Sequence, residues 1–153
     1  LGKFHINNLT GELTADKIDR ETFGSKAHLI IRASDQGTPH ITNVTMVDVH
    51  IQDINDNLPV FSNKSIHLKV REGEAFGSFV YQLQATDADE GDNAKVKYRK
   101  INGSSFFDVK ETGEISIAQS PSLIKTNNGM LELYVEANNK AKYENQSLIN
   151  PVL

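Results

Sequence analysis

Five consecutive residues about a third of the way along the chain carry a high density of oxygen ligands. The run Asp53–Asn57 holds two carboxylates, two side-chain amides and the backbone carbonyls between them. Oxygen ligands at such close spacing favour a hard cation, above all calcium, because calcium accepts about six to eight oxygens in a loose geometry. Pro59 and the apolar pair Val60-Phe61 then open a new strand. The run therefore predicts a calcium site beside the start of a β-strand.

Further acidic motifs stand on either side of this run. Asp19-Arg20-Glu21 precedes it, and Asp87-Ala88-Asp89 follows it, with Asn93 a short distance further on. Taken alone, an Asp-x-Asp pair is most often a solvated turn and an Asp-Arg-Glu triplet a charged surface. Several carboxylates drawn into one place repel one another unless a cation joins them. The motifs therefore predict metal binding only as a set.

The segments that must position these motifs follow a strand pattern. Segments 28–33 and 132–137 place apolar residues at every second position, which is typical of half-buried β-strands. The chain also repeats itself, since the turn signals Thr10-Gly11 and Thr112-Gly113 lie about a hundred residues apart between short strand patterns. Short strands separated by Gly, Asn, Asp and Pro predict an all-β sandwich fold.

The string from Asp53 to Phe61 resembles D-x-N-D-N-x-P-x-F, the linker between successive extracellular cadherin repeats. The other motifs match the same family in the same order: D-R-E at 19–21, A-x-D-x-G-x-P at 33–39, the glutamate motif at 70–72 and D-x-D at 87–89. The resemblance implies tandem immunoglobulin-like Greek-key β-sandwiches, the first of them incomplete. We expect the end of one cadherin repeat with its linker at residues 1–58 and a second repeat at 59–153.

Carried over position by position, the resemblance also implies three adjacent calcium ions and their ligands. The side-chain ligands would be Asp19, Glu21, Asp53, Asn55, Asp56, Asp87 and Asp89. The backbone carbonyl ligands would be those of Ile54, Asn57 and Asn93. Asn139 aligns with Asp35 of the first unit, so an amide would coordinate where a carboxylate is usual. The second unit has no D-R-E, since Gln119–Leu123 stands in its place, which predicts a calcium-free far end or the last repeat of the array.

Composition points to a protein outside the cell. The chain has 153 residues, a net charge of -4 and no cysteine, so a disulfide framework, a zinc site and a basic surface for nucleic acid are not supported. No apolar stretch reaches the roughly 18 residues of a membrane span, so we expect any membrane anchor to lie outside this part of the protein. N-glycosylation triplets begin at Asn8, Asn43, Asn63, Asn102 and Asn145.

The resemblance to cadherins, which agrees with this composition, implies a calcium-dependent cell-adhesion ectodomain of a plasma-membrane protein. Bound calcium would stiffen the rod that presents adhesive surfaces, and the partners would be other repeats of the same chain and a homophilic or heterophilic cadherin. One alternative is a non-adhesive or heterophilic binding module with a calcium-free bend at its far end. A glycosidase that uses Asp87 and Asp89 as acid and base, or a calcium-binding module of a secreted microbial protein, is less well supported. We therefore expect no enzyme activity.

Overall fold

The computed structural model describes residues 2–119 and 129–139, and the backbone of 150–152. The chain forms two compact units, Leu1–Asp53 and Ile54–Leu153, here called unit 1 and unit 2. No helix in the described ranges is long and apolar enough to cross a membrane. The division falls within the acidic run, while the predicted repeat boundary after Leu58 stays a prediction.

Unit 1 consists of two antiparallel strand pairs and one helical turn. Strands β1 (Phe4–Ile6) and β2 (Leu13–Ala15) form the first pair. The short helix α1 (Arg20–Phe23) follows, and the ring of Phe23 contacts that of Phe4 edge-on at 6.0 Å between centroids. Strands β3 (Lys26–Ser34) and β4 (Thr42–His50) then pair along their whole length.

The strand pattern of unit 1 follows the predicted alternation at its centre. Ala27 and Leu29 of β3 are buried, while Ile30 and Met46, which face each other across the two strands, are more than 70% exposed. The helix α1 is a feature that the strand pattern did not predict. It begins at Arg20, with Asp19 as its N-cap, so its start lies within the first acidic motif.

Unit 2 contains eight strands in the described ranges. In chain order they are β5 (Val60–Phe61), β6 (Phe79–Gln82), β7 (Ala85–Thr86), β8 (Lys97–Gly103), β9 (Phe107–Val109), β10 (Glu114–Ile117), β11 (Leu133–Asn138) and β12 (Asn150–Val152). One sheet has the order β6-β10-β9 and another β12-β11-β8, while β5 pairs with β7. All of these pairs are antiparallel.

Side chains from both three-stranded sheets meet in one hydrophobic core. Ile115 of β10 is 1% exposed and Val135 of β11 is fully buried. The same core also contains Phe61 of the β5–β7 pair, together with Leu83 and Tyr98. Two antiparallel sheets that share a core form a β-sandwich, which confirms the predicted all-β fold class.

The turn at Thr112-Gly113 shows why the repeated signal contains glycine. Gly113 has φ +86°, in the left-handed region that other residues adopt at a cost. A Cβ atom built at this position would lie 2.8 Å from Cε2 of Tyr98, a buried core residue. Backbone conformation and the neighbouring ring therefore both require glycine at this turn.

We predict that Gly113→Ala destabilises unit 2 by about 2 kcal/mol, because it combines backbone strain with a clash against Tyr98. The control Gly73→Ala has a similar φ of +82° but no atom within 4 Å of the added Cβ, so it should cost about 1 kcal/mol. Urea unfolding followed by tyrosine fluorescence measures both, because all four tyrosines lie in unit 2. Equal losses in the two variants would show that the contact with Tyr98 has no effect.

Candidate metal centre

Asp19 fixes the first acidic motif of unit 1 in place. Its carboxylate caps helix α1, with Oδ1 accepting hydrogen bonds from the backbone N–H groups of Glu21 (3.1 Å) and Thr22 (3.2 Å). Oδ2 accepts a third, at 2.9 Å, from the hydroxyl of Thr22. These bonds, with that from the Thr22 side chain foremost, lower the pKa of Asp19. The carboxylate is therefore ionised and held at the start of the helical turn.

Arg20 joins the two other predicted carboxylate ligands of unit 1. Its guanidinium donates to Oδ1 of Asp53, from Nε at 2.7 Å and from a terminal nitrogen at 2.6 Å. Nε also lies 3.3 Å from a carboxylate oxygen of Glu21. The side chains of Arg20 and Asp53 are only 15% and 13% exposed. The arginine of the D-R-E motif thus neutralises the carboxylates beside it, a role that sequence reasoning missed.

Asp89 is the centre of the predicted ligand group in unit 2. It is 7% exposed, and its two oxygens accept hydrogen bonds from the side chain (2.6 Å) and backbone (3.3 Å) of Asn57. The same side-chain amide donates to Asp56 at 3.1 Å. An oxygen of Asp56 lies within 4.8 Å of an oxygen of Asp89. The acidic run and the D-x-D motif therefore meet at Asn57.

Asp87 lies in the same group, directly after strand β7. Its Oδ1 accepts a hydrogen bond at 2.9 Å from the backbone N–H of Asp89. Burial raises the pKa of Asp87, and the negative charge of Asp89 adds to the rise, although hydrogen bonds from Asp89 and Asn139 oppose it. The hydroxyl of Tyr98 accepts a hydrogen bond at 2.8 Å from the N–H of Ala85, which ties β7 to the core strand β8. The core thus positions the D-x-D motif.

Asn139 follows strand β11 and is 6% exposed. Its side-chain nitrogen lies 2.7 Å from Oδ2 of Asp87, 3.1 Å from the carbonyl of Asn57 and 3.2 Å from the carbonyl of Asn93. Its own backbone carbonyl accepts a hydrogen bond at 2.9 Å from the side-chain amide of Asn55. Asn139 therefore joins three separate segments that sequence analysis had assigned to the metal site.

These residues could accommodate a cation, because one buried acceptor receives no hydrogen bond from the described residues. The side-chain oxygen of Asn55 is buried and, among the described residues, receives no hydrogen bond. A buried acceptor without a partner is costly, and here it belongs to a group that also holds Asp56, Asp87 and Asp89. Hard oxygens of this kind are calcium ligands. The donor set of unit 2 thus fits the predicted ion.

The structure places the remaining predicted site residues as follows. Ile54, predicted to bind through its carbonyl, is 66% exposed. The glycosylation candidates Asn8, Asn43, Asn63 and Asn102 are exposed, whereas Asn145 lies outside the described residues. The predicted replacement of the D-R-E motif also lies largely outside them, since only Gln119 of Gln119–Leu123 is described.

A family model and individual proteins were compared with the chain. The model of the cadherin domain matches residues 66–150, more than half of the chain. A cadherin EGF LAG seven-pass G-type receptor of Caenorhabditis elegans, fmi-1, is 37% identical over 114 residues, which is 72% of this chain and 4% of the relative. Human protocadherin gamma-A9 is 38% identical over 130 residues, 76% of this chain and 14% of the relative.

A solved structure shows the same likeness in three dimensions. The extracellular cadherin domains 1–5 of protocadherin gamma B2 superpose with a TM-score of 0.77 at 29% sequence identity. The match covers 92% of this chain and 27% of the solved chain. The sequence therefore spans only a small part of the proteins it resembles.

We predict that Arg20→Gln weakens unit 1 with chelator present, because Asp53 and Glu21 lose their positive partner in a partly buried position. Removing one member of such a pair should cost about 2 kcal/mol. Amide hydrogen exchange in β3 and β4 should therefore become about thirtyfold faster. Lys26→Gln is the matched control, since it makes the same charge change at an exposed position. Unchanged exchange in Arg20→Gln would contradict the role given to the arginine.

Proposed function

The chain belongs to the cadherin family, and from this premise we propose that it is a calcium-binding, rod-forming part of an adhesion receptor. It consists of extracellular cadherin repeats of the adhesion type. Members of this family are adhesion ectodomains, which confirms the expectation that the chain is not an enzyme. The repeats themselves we assign to residues 1–58 and 59–153.

The single observation that carries the calcium proposal is the buried side-chain oxygen of Asn55, which receives no hydrogen bond from the described residues. In unit 2 we assign the side chains of Asn55, Asp56, Asp87 and Asp89 as ligands, with the carbonyls of Ile54, Asn57 and Asn93 and the side chain of Asn139. In unit 1 we assign Asp19, Glu21 and Asp53. A bound calcium ion would supply positive charge to the carboxylates of unit 2.

Repulsion between the carboxylates explains how calcium binding would stiffen the receptor. Two carboxylates 4 Å apart repel each other by about 1 kcal/mol in water and by about 4 kcal/mol at an effective dielectric constant near 20. The acidic run Asp53–Asn57 is the stretch of chain at which the two units divide. Neutralising its carboxylates would restrict the motion of one repeat against the next. We propose that this restriction sets the reach of the adhesive surfaces carried by the whole receptor.

Partners and modification follow from the same proposal. We propose that the chain works beside further repeats of its own protein and contacts a homophilic or heterophilic cadherin partner. Asn8, Asn43, Asn63 and Asn102 are exposed and start N-x-S/T triplets, so we assign them, with Asn145, as sites of N-glycosylation. Glycosylation fits a location outside the cell.

We predict that calorimetric titration of the 153-residue chain shows calcium binding with dissociation constants of about 10⁻⁴–10⁻³ M, the range of extracellular modules. Asp89→Asn should weaken calcium binding about tenfold or more, because it removes a buried charge from the centre of the proposed ligand group. Asp108→Asn in strand β9 is the matched control, since it makes the same charge change at an exposed position.

Tyrosine fluorescence during unfolding in chelator shows whether Asp89→Asn still folds. If the folded variant bound calcium as tightly as the unmodified chain, the proposed ligand group would be wrong. The same conclusion would follow if magnesium bound as tightly as calcium, since magnesium requires a near-ideal octahedral arrangement.

A further inference from the structure

We infer that the side-chain amide of Asn139 acts as an internal substitute for a cation and makes metal binding optional at its end of unit 2. The inference rests on the proposed function, because it concerns one position within the proposed calcium ligands. It assigns to this residue a role as donor as well as ligand.

The chemistry of its partners fixes the orientation of the amide. Three acceptors lie within hydrogen-bond distance of the side-chain nitrogen: a carboxylate oxygen of Asp87 and the backbone carbonyls of Asn57 and Asn93. Backbone carbonyls can only accept hydrogen bonds, and the oxygens of Asp87 can only accept them when its carboxyl group is ionised. The NH₂ group must therefore face them, because the amide oxygen in that place would oppose three other oxygens. Two N–H donors shared among three converging oxygens supply the partial positive charge that a cation would otherwise provide.

The position of Asn139 is held from a second direction. Its backbone carbonyl accepts the hydrogen bond from Asn55, and the residue is 94% buried, as 6% of its surface is exposed. Both the buried backbone and the buried side chain are therefore satisfied without a metal. An ion that binds Asp87, Asn57 and Asn93 must first displace the NH₂ group, so that the amide oxygen turns toward it.

Unit 1 shows the contrasting arrangement at the aligned residue. Asp35 is exposed, and its Oδ1 accepts hydrogen bonds from the backbone N–H groups of Gly37 at 3.1 Å and Ile41 at 2.9 Å. A carboxylate can only accept, so Asp35 cannot satisfy neighbouring oxygens as Asn139 does. The difference between the two side chains therefore replaces a group that can only accept hydrogen bonds by one that also donates them.

The decisive variant is Asn139→Asp in the 153-residue chain, which turns the donor into a third carboxylate beside Asp87 and Asp89. With chelator, the melting temperature followed by tyrosine fluorescence should fall by about 5 °C or more, because the carboxylates then repel one another. In calorimetry the same variant should bind calcium about tenfold more tightly or take up an additional ion. Stability and affinity thus change in opposite directions.

Asn138→Asp is the matched control, because it makes the same charge change one residue earlier, opposite Lys97 in strand β8. It should alter neither measurement. Asn139→Ala guards against a failure of the aspartate variant to fold with chelator. It removes the donor without adding charge, so it should also lower the melting temperature in chelator by about 5 °C.

The melting experiment in chelator and the calcium titration test this inference separately from the proposed function. If both Asn139 variants melt in chelator at the temperature of the unmodified chain, the donor role is overturned whether or not calcium binds. If calcium binds to the unmodified chain and Asn139→Asp binds it no better, competition by the amide is likewise overturned. The proposed function instead fails if no variant binds calcium, an outcome in which the chelator arm still decides the donor role.

Discussion

Repulsion between carboxylates held close together is the constraint on which the rest of the structure depends. In unit 2, Asp56, Asp87 and Asp89 are gathered by the acidic run and the D-x-D motif, and Asp89 is almost fully buried. Charges of one sign cannot share a poorly solvated place without compensation. The amides of Asn57 and Asn139 supply part of it, and in unit 1 the guanidinium of Arg20 does so.

The fold serves this group by bringing distant segments to it. The acidic run precedes β5, the D-x-D motif follows β7, and Asn139 follows β11, whose Val135 and Ala137 are fixed in the core. Tyr98 connects that core to β7 through a single hydrogen bond. Substitutions in the core should therefore also shift the ligand residues at the strand ends. Because a metal that binds the folded state stabilises it, the stability of unit 2 and its proposed metal affinity are thermodynamically linked.

Sequence reasoning predicted the fold class because period-two alternation and turn residues are local signals. It also predicted which segments carry the ligands, since the motifs are short and ordered. It missed the helical turn that Asp19 caps and the pairing of Arg20 with Asp53, because an ion pair between residues 33 positions apart depends on tertiary structure. It identified Asn139 as a ligand position, but only the three distances around its nitrogen show that this side chain donates.

The most direct test of the account is to follow the side-chain NH₂ signals of Asn55, Asn57 and Asn139 by nuclear magnetic resonance during a calcium titration. The account predicts that all three signals move together and saturate by about 10 mM calcium, because each amide lies among the proposed ligands. The signal of Asn102, exposed and outside the group, should stay in place. Unchanged signals of all three ligand-group amides at that concentration would contradict calcium binding by unit 2.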